Sequence, residues 1–440
     1  KHQEIMHSFA VINNRKSPKV DSFELPFSKS LSNRLLILRY LAGSSLQIRN
    51  LSSSDDTVLL NEALKKVKHY SLTTITKHES TTFESDFVEL ECKNAGTACR
   101  FLLSLLSITS GKWLLNADQR MEQRPIIPLI ECLKSLGADI ESVYPNKIFP
   151  LRIKGKQLKC SGLITLPSNL SSQFISSLAM IAPYVDGGLR ISLHTSQVSL
   201  PYIKMTLKLM QENGAEVKIE NNVLSIGQKQ YRFEKTDIEA DWSAAAFAYS
   251  IVALGNIESL KINGLNNNSL QGDAIVAELF SKYFGVQTLF NDSGVCLYYN
   301  ESSFRKKETI EIDFSSYPDL FLPLVVTAVC LNKSFVFNGL ETLSYKESDR
   351  LNNVIDQIRK EGMDISYENG EMKFKAMDAC KELSYDLFEA NSYNDHRMAM
   401  AMSLFAFKYK SVKIQNPDCV EKSFPDYWKM LSHFFEVSLI

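Results

Sequence analysis

The chain has 440 residues, of which 45% are hydrophobic and 22% are charged. This composition provides ample apolar material for sizeable cores and excludes disorder or low-complexity repeats as the main state. The 49 Lys and Arg residues nearly balance the 50 Asp and Glu residues, which leaves a formal net charge of −1. Such a balance argues against a surface that binds nucleic acid or membrane along the whole chain, but it is compatible with a local cationic pocket.

The eight cysteines form no CxxC pair, and most of them lie in apolar stretches. We therefore expect free, buried thiols in a reducing cytoplasm. The most apolar run, residues 320–331, contains a proline and is shorter than the about 20 residues that a membrane-spanning helix needs. The first residues contain no apolar signal-peptide segment. These features predict a cytoplasmic protein without a membrane partner.

A short pattern recurs along the chain: the end of an apolar helix, a glycine, and then a strand-like segment. The glycines are Gly137, Gly214, Gly285 and Gly362, which are 77, 71 and 77 residues apart. We expect each glycine to follow a helix with positive φ, which glycine adopts without strain. Two degenerate copies without the glycine fit near the two ends of the chain. The sequence thus predicts six repeated units of about 70 to 75 residues.

Each unit alternates strand and helix patterns, so the predicted class is α/β (α+β). Six units divide naturally into two groups of three, with boundaries near residues 20–22 and 239–241. This division predicts an N-terminal lobe of residues 21–239 and a C-terminal lobe of residues 1–20 plus 240–440.

Polar motifs begin six of the predicted apolar helices. In chain order the motifs span residues 28–34, 94–100, 171–173, 318–319, 346–350 and 394–397. Their Ser, Thr, Asn, Asp and Gly residues are typical of helix N-termini, which bind anions through unpaired N–H groups and the helix dipole. Eight cations lie in or near these motifs: Lys29, Arg34, Arg100, Arg124, Lys346, Arg350, Arg397 and Lys422.

Cations at the N-terminal end of a helix oppose its dipole, so their placement indicates a bound polyanion. For any single motif, ordinary capping with solvated charges is the competing interpretation, but six such motifs in six units favour a ligand. Arg suits bidentate contacts to carboxylate and phosphate, and Lys acts as a point charge. The residues by themselves therefore predict a cleft for small phosphorylated and carboxylated ligands.

Other phosphate-binding and metal-binding motifs are missing from the sequence. It contains neither a GxxxxGK[ST] loop nor a GxGxxG fingerprint, so nucleotide binding has no support. The seven histidines show no HxxxH or HExxH spacing, and we expect no metal. His396 lies in a polar motif, where a hydrogen-bonded structural role competes with acid–base chemistry. Ser171 and Ser172 are better interpreted as phosphate ligands than as nucleophiles.

Five motifs follow one another along the chain: Ser28-Lys29-Ser30, Asn94-Ala95-Gly96-Thr97-Ala98-Cys99-Arg100, Lys346-Glu347-Ser348-Asp349-Arg350, Asn394-Asp395-His396-Arg397-Met398-Ala399-Met400 and Lys422-Ser423-Phe424-Pro425-Asp426. In this order and spacing they resemble the 5-enolpyruvylshikimate-3-phosphate synthase family of enolpyruvyl transferases. The resemblance extends from about residue 20 to about residue 428.

The resemblance implies two similar domains of three βαβαββ units each, an inside-out α/β barrel, with helix N-termini facing an active-site cleft between the domains. It implies transfer of the enolpyruvyl group of phosphoenolpyruvate to the 5-hydroxyl of shikimate 3-phosphate, with release of phosphate. This reaction belongs to the shikimate pathway of aromatic amino acid biosynthesis and needs no metal or organic cofactor. We expect a monomer whose partners are these two substrates, with no nucleic acid and no membrane.

The same resemblance implies roles for the residues that match the family motifs. Asp319 is the expected proton acceptor for the 5-hydroxyl and Glu347 the expected proton donor to the enol methylene, with Lys29 as a third catalytic residue. The expected contacts to shikimate 3-phosphate are Lys29, Ser30, Arg34, Ser171, Ser172, Gln173, Ser199, Tyr202, Asp319 and Lys346. The expected contacts to phosphoenolpyruvate are Lys29, Asn94, Gly96, Arg124, Gln173, Arg350, Arg397 and Lys422.

Three positions depart from the family pattern: Phe27 stands where Gly is usual, Phe101 where Pro is usual, and Thr342 where some members have Asn. Two alternatives stay open. One is UDP-N-acetylglucosamine enolpyruvyl transferase, which shares the fold and the donor but has Lys-Asn where this chain has Lys29 and Ser30. The other is a non-catalytic relative that binds phosphorylated metabolites, which would be expected to lack a catalytic carboxylate or a clamp arginine.

Overall fold

The computed structural model describes residues 7–16, 22–76, 87–160, 162–167, 172–193, 199–301, 309–377 and 386–440, with the backbone only for 72–76. The chain divides into two compact units. We call Lys29–Ile238 the N-terminal unit, and Lys1–Ser28 together with Glu239–Ile440 the C-terminal unit.

Helices and strands alternate along the described residues, which confirms the predicted α/β class. The strands are β1 (Phe9–Arg15), β2 (Ser22–Glu24), β3 (Val88–Glu91), β4 (Gly111–Asn116), β5 (Asp139–Ser142), β6 (Leu151–Gly155), β7 (Leu163–Thr165), β8 (Leu189–Ser192), β9 (Val217–Glu220), β10 (Val223–Ile226), β11 (Leu260–Asn263), β12 (Val286–Asn291), β13 (Gly294–Tyr299), β14 (Ile310–Asp313), β15 (Phe335–Asn338), β16 (Ile365–Glu368), β17 (Glu371–Phe374), β18 (Leu387–Asn391), β19 (Ser411–Gln415) and β20 (Phe435–Leu439). The α-helices are α1 (Lys29–Leu41), α2 (Asp55–Thr76), α3 (Gly96–Ile108), α4 (Gln119–Glu122), α5 (Ile127–Ser135), α6 (Ser172–Ile181), α7 (Leu200–Glu212), α8 (Trp242–Gly255), α9 (Val276–Phe284), α10 (Phe321–Cys330), α11 (Arg350–Lys360), α12 (His396–Ser403) and α13 (Tyr427–Leu431).

The strands of the described residues form five four-stranded sheets with one shared topology. Their strand orders are β3-β4-β6-β5, β7-β8-β10-β9, β12-β13-β11-β2, β14-β15-β17-β16 and β18-β19-β1-β20. In each sheet one edge pair is parallel and the other two pairings are antiparallel. In four of the sheets a helix connects the parallel strands, because a parallel pair needs a long crossover, whereas the whole N-terminal unit and α8 lie between β2 and β11 in sequence. This repetition agrees with the repeated unit predicted from the glycine pattern and with the βαβαββ unit that the family resemblance implies. Five of the six predicted units have a sheet among the described residues.

The four repeated glycines have the predicted backbone conformation. Their φ angles are 98° at Gly137, 89° at Gly214, 73° at Gly285 and 72° at Gly362. Each glycine lies one or two residues after the last residue of a helix and precedes a strand of its sheet. Because a side chain would be strained at these angles, glycine ends the helix and turns the chain toward the strand.

Buried helices form the interior of each unit. In the C-terminal unit, α8, α10 and α12 are buried along almost their whole length, and α10 packs against the other two. In the N-terminal unit, α6 packs against α3 and α7. Strands such as β6 and β14 alternate buried and exposed residues. Each sheet therefore covers helices with one face and meets solvent with the other.

Candidate active site

The predicted polar motifs begin helices, as expected from their capping residues. Lys29 is the first residue of α1, Gly96 of α3 and Ser172 of α6 in the N-terminal unit. In the C-terminal unit, Asp349 accepts a hydrogen bond from the N–H of Asn352 at the start of α11. These positions give the motif side chains a fixed starting point on buried helices.

Lys29 forms an ion pair with a residue that the sequence motifs did not single out. Its Nζ lies 3.2 Å from Oδ2 of Asp56, which is in the first turn of α2. Asp56 is buried and the Lys29 side chain is mostly buried. A carboxylate that holds the ammonium group in this way orients it for a bound anion. The two acidic residues at the start of α2 are a helix N-terminus signal that could have identified Asp56.

Arg34 lies in the interior of the N-terminal unit. Its guanidinium group donates to Oγ1 of Thr206 at 2.6 Å, to the carbonyl of Ser30 at 2.9 Å and to the carbonyl of Tyr202 at 3.4 Å. Burial lowers the pKa of Arg34 to about 10, although the electrostatic interaction with Tyr202 acts to raise it. Arg34 therefore brings the predicted residues Ser30 and Tyr202 together by linking α1 to α7.

Phe101, which stands where the family pattern has Pro, supports Arg34. The Phe101 ring is buried in α3, and the guanidinium carbon of Arg34 lies 5.4 Å from its centre. This distance is within the range of a cation–π contact. Phenylalanine in place of proline at this position therefore keeps α3 regular and adds an aromatic surface beneath Arg34.

Arg100 connects three of the predicted elements. Its Nη1 donates to Oε1 of Gln173 at 2.6 Å and to the carbonyl of Gly96 at 3.2 Å, and its Nη2 donates to the carbonyl of Pro125 at 2.6 Å. Gln173 in turn donates to Oγ1 of Thr97 at 3.0 Å. Arg100 therefore orients Gln173 and holds the loop beside Arg124.

Arg124 lies at the N-terminus of α3. Its Nη1 donates to the carbonyl of Asn94 at 3.0 Å, and the group is buried. A Cβ atom at Gly96 would lie 2.6 Å from Nη2 of Arg124, so glycine leaves room for the guanidinium. No side chain caps α3 at Ala95. The unpaired N–H groups and the arginine together suit a phosphate or carboxylate.

The remaining predicted residues of the N-terminal unit also lie at helix starts. Ser172 is buried at the first position of α6, and Ser199 directly precedes α7 with a left-handed backbone. The described structure records no side-chain cap from Ser199 to that helix. Ser171 lies outside the described residues.

Asp319 is surrounded by three cations in the C-terminal unit. Its carboxylate lies 3.1 Å from Nη1 of Arg350, 3.6 Å from Nζ of Lys346 and 3.6 Å from Nη2 of Arg397. Burial would raise the pKa of Asp319, but the charges of Arg397, Lys346 and Arg350 lower it well below its ordinary value. Asp319 is therefore ionised, and its side chain is still 21% exposed.

Glu347 belongs to the same cluster. Its Oε2 accepts a hydrogen bond from Nη2 of Arg350 at 2.7 Å, and its Oε1 lies 3.6 Å from Nζ of Lys422. Arg350 thus contacts both candidate catalytic carboxylates. Burial would lower the pKa of Arg350, but Asp395, Glu347 and Asp319 raise it, so the guanidinium stays charged.

Asp395 organises this cluster, although the sequence motifs gave it no role of its own. It is fully buried, and it accepts hydrogen bonds from Arg350, from Oγ of Ser348 at 3.0 Å and from the N–H of Arg397 at 2.9 Å. It caps α12, which carries Arg397. The neighbouring His396 is 1% exposed.

The arrangement in the C-terminal unit can hold anions and move protons. Arg350, Lys346, Arg397 and Lys422 contribute four positive charges, against three carboxylates in contact with them. Two carboxylates on different elements can remove a proton from oxygen and deliver one to carbon. Each charge is partly shielded from water, which strengthens its effect on a bound anion.

Two features are absent from the described residues. No group of three or more His, Cys, Asp or Glu side chains in this part of the chain is arranged to hold a metal ion. None of the helices that the structure describes is both long and apolar enough to cross a membrane.

The chain is similar to a large set of known proteins. The sequence model of the family described as EPSP synthase (3-phosphoshikimate 1-carboxyvinyltransferase) matches residues 17–431. A 3-phosphoshikimate 1-carboxyvinyltransferase of Bacteroides fragilis (strain YCH46) is 36% identical over 411 residues, which cover 93% of this chain and 94% of that protein. A protein of the same name from Vibrio campbellii (strain ATCC BAA-1116) is 33% identical over 418 residues, which cover 92% of this chain and 95% of that protein.

Solved structures share the fold. EPSP synthase from Acinetobacter baumannii superposes with a TM-score of 0.71 at 19% identity, covering 98% of this chain and 100% of that one. The enolpyruvyl transferase NikO from Streptomyces tendae gives a TM-score of 0.70 at 12% identity, covering 98% of this chain and 99% of that one. These likenesses confirm the predicted fold class of two similar α/β domains.

Proposed function

Because the chain belongs to the EPSP synthase family, we propose that it transfers the enolpyruvyl group of phosphoenolpyruvate to the 5-hydroxyl of shikimate 3-phosphate. The family predicted from the sequence motifs is thereby confirmed. The observation that carries the proposal is the contact of Arg350 with both Asp319 and Glu347, at 3.1 and 2.7 Å. This cluster combines two proton-transfer groups with cations for an anionic donor.

In the first step of the proposed reaction, Asp319 takes the proton of the 5-hydroxyl, and the hydroxyl oxygen forms a bond to C2 of phosphoenolpyruvate. Glu347 delivers a proton to C3, which converts the methylene to a methyl group. In the second step the bond from C2 to the phosphate oxygen breaks, the methyl group returns a proton to Glu347, and the proton held by Asp319 leaves with the phosphate. The products are 5-enolpyruvylshikimate 3-phosphate and inorganic phosphate.

The other residues are proposed to bind the two anions. Phosphoenolpyruvate contacts Lys29, Asn94, Gly96, Arg124, Gln173, Arg350, Arg397 and Lys422. Shikimate 3-phosphate contacts Lys29, Ser30, Arg34, Ser171, Ser172, Gln173, Ser199, Tyr202, Asp319 and Lys346. Binding two reactants together supplies a large part of the rate, because it replaces an encounter in solution. That both sets of residues act on one pair of substrates is part of the proposal.

Release of phosphate from phosphoenolpyruvate tests the proposal directly. We expect release only when shikimate 3-phosphate is present, and no release with UDP-N-acetylglucosamine. Shikimate 3-phosphate should also raise the melting temperature more than the nucleotide sugar does, because a ligand stabilises the state that it binds. Release that depends on the nucleotide sugar would support the alternative transferase, and no release with either acceptor would support a non-catalytic relative.

The proposal also includes a monomeric, cytoplasmic enzyme that works without a metal or organic cofactor. Full activity after dialysis against a chelator would support the proposal that the enzyme needs no metal. Sedimentation at the concentration of the assay would test the monomer.

A further inference from the structure

A groove of the N-terminal unit lies between the last turn of α1 and one face of α2. Its volume is about 500 Å³, and its walls come from the end of α1, the loop after it and α2. Sites for small organic molecules have volumes of about 300–1,000 Å³. From α2 the groove is lined by Asn61, Leu64, Lys65 and Lys68, whose spacings of three, four and seven residues from Asn61 place them on one face of the helix. We call this space the α1–α2 groove.

Three cations line the α1–α2 groove: Arg39 of α1, and Lys65 and Lys68 of α2. Among the residues that the structure describes, neither Asp nor Glu lines it. Within the same described ranges, none of the three cations forms an ion pair. Nη2 of Arg39 donates instead to the uncharged Oδ1 of Asn61 at 3.4 Å. The groove therefore carries three positive charges that no described carboxylate balances.

A purely structural role accounts for only one of these cations. Arg39 lies in the last turn of α1, where a cation stabilises the negative end of the helix dipole. Lys65 and Lys68 lie in the middle of α2 and are three residues apart, where like charges destabilise a helix. Both lysines border a concave surface opposite the arginine. This arrangement indicates a bound anion that stabilises all three charges.

The other groups of the α1–α2 groove indicate which kind of anion fits. Tyr40, Leu41 and Leu64 give the groove an apolar wall. Oγ of Ser44 accepts a hydrogen bond from the N–H of Leu46 at 3.2 Å, which leaves the hydroxyl hydrogen of Ser44 to donate to a ligand. An arginine suits bidentate contacts to carboxylate or phosphate, and lysines act as point charges. A compact apolar body that carries two or more acidic groups matches this lining.

The α1–α2 groove is distinct from the candidate active site. None of the residues proposed for catalysis or substrate binding lines it. Arg39 follows Lys29 by ten residues on α1 (39 − 29), which corresponds to about 15 Å along the helix axis. An anion that contacts Lys29 and an anion in the groove are therefore two separate ligands.

We propose that the α1–α2 groove is a second ligand-binding site, which takes a small organic anion with two or more carboxylate or phosphate groups on a compact apolar body. Arg39 holds one acidic group, Lys65 and Lys68 hold another, and the apolar body packs against Tyr40 and Leu64. The inference goes beyond the proposed function and does not depend on it, because none of these residues takes part in the proposed reaction.

The test uses benzene-1,3,5-tricarboxylate, a ring with three carboxylates, and hydrogen exchange of the whole protein followed by mass spectrometry. The tricarboxylate should slow exchange in peptides that cover residues 39–45 and 61–71, because a ligand stabilises the segments that it binds. In the double variant Lys65→Gln/Lys68→Gln, half of this protection should require a tricarboxylate concentration higher by about 10-fold or more. Absence of protection in the wild-type protein, or an unchanged concentration in the double variant, would overturn the inference.

Lys204→Gln/Lys208→Gln is the matched control, because it removes two positive charges from exposed positions of α7 that do not line the groove. The tricarboxylate should protect residues 39–45 and 61–71 of this variant as it does in the wild-type protein. Equal weakening in both double variants would show an effect of net charge alone and would reject the site.

Inorganic pyrophosphate tests the apolar part of the proposal, because it carries several negative charges without a ring. It should protect the same peptides only at concentrations about 10-fold higher than the tricarboxylate, since it makes no apolar contact with Tyr40 and Leu64. Protection by pyrophosphate at the same concentration would contradict the assignment of an organic ligand.

Discussion

Asp395 accepts two hydrogen bonds from the guanidinium group of Arg350, one from Nε at 2.8 Å and one from Nη2 at 3.2 Å. Nη2 also donates to Oε2 of Glu347, and Nη1 donates to Oδ1 of Asp319. Since Asp395 is fully buried and also caps α12, its side chain cannot move without shifting Arg350. This aspartate therefore sets the direction in which the cation faces both candidate catalytic carboxylates.

Replacing Asp395 should damage both stability and activity. Asp395→Asn leaves a buried arginine without its main charge partner, and such changes cost about 3–5 kcal/mol of unfolding free energy. We expect kcat/KM to fall by about 10²-fold, because Arg350 loses its orientation. Urea unfolding and the phosphate-release assay measure the two effects.

Asp386→Asn is the matched control for this change. Asp386 also pairs with a cation, Lys410, at 2.6 Å, but both side chains are largely exposed. Exposed pairs contribute little to stability, so neither measurement should change. Equal effects of the two substitutions would contradict the role given to Asp395.

The two proposed proton-transfer groups should be needed for turnover and not for binding. Glu347→Gln or Asp319→Asn should lower kcat by about 10²–10⁴-fold, because the amide cannot exchange the proton. Calorimetric titration should still detect shikimate 3-phosphate. Glu371→Gln, which changes a partly exposed glutamate paired with Lys373, serves as the control. Near-normal turnover in both active-site variants would reject the assignment.

Gly96→Ala should weaken the binding of phosphoenolpyruvate. The added Cβ would lie 2.6 Å from Nη2 of Arg124 and 2.8 Å from Nη1 of Arg100, so both guanidinium groups must shift. We expect KM for phosphoenolpyruvate to rise by about 10-fold or more, because the guanidinium group of Arg124 is displaced from the N-terminus of α3. The melting temperature should fall as well, because Arg100 is buried and its hydrogen bonds to Gln173 and Pro125 would be disturbed. Steady-state kinetics with varied donor concentration measure this.

Gly162→Ala is the corresponding control. No heavy atom lies within 4 Å of a Cβ at Gly162, so the same substitution meets open space there. Its kinetics should equal those of the wild-type protein. An unchanged KM for phosphoenolpyruvate in Gly96→Ala would show that Arg124 does not hold this substrate.

The carboxyl group of Asp273 is buried, and its raised pKa predicts how the stability of the folded protein depends on pH. Because the folded-state pKa, about 7, is above the ordinary value of 3.8, the folded protein binds the proton more tightly than the unfolded chain does. Its contribution to stability is therefore fully present below about pH 4 and is lost as the pH rises toward about 7. Asp273→Asn does not ionise, so it should gain stability relative to the wild-type protein at pH 8.

Urea unfolding of both proteins at about pH 5 and about pH 8 measures this effect. The difference between variant and wild type should be larger at the higher pH, by an amount on the order of a few kcal/mol. An equal difference at both pH values would show that Asp273 is not ionised in the folded protein at pH 8.

Local rules were enough to predict the repeat and the position of the motifs. The helix-ending glycines Gly137, Gly214, Gly285 and Gly362 have the expected positive φ, because backbone conformation at a turn depends mainly on the residue itself. The motif residues Asp349 and Asp395 cap α11 and α12, because capping involves only neighbouring residues. The sequence by itself therefore determined the repeated unit of alternating strands and helices and the positions at which the motif helices begin.

Only the tertiary structure decided which side chains meet. Arg350 pairs with Asp395, which is 45 residues away, and Arg34 donates to Thr206, which is 172 residues away. No periodicity marks such pairs, because charge interactions and hydrogen bonds depend on distance in space, and the packing of separate elements sets that distance.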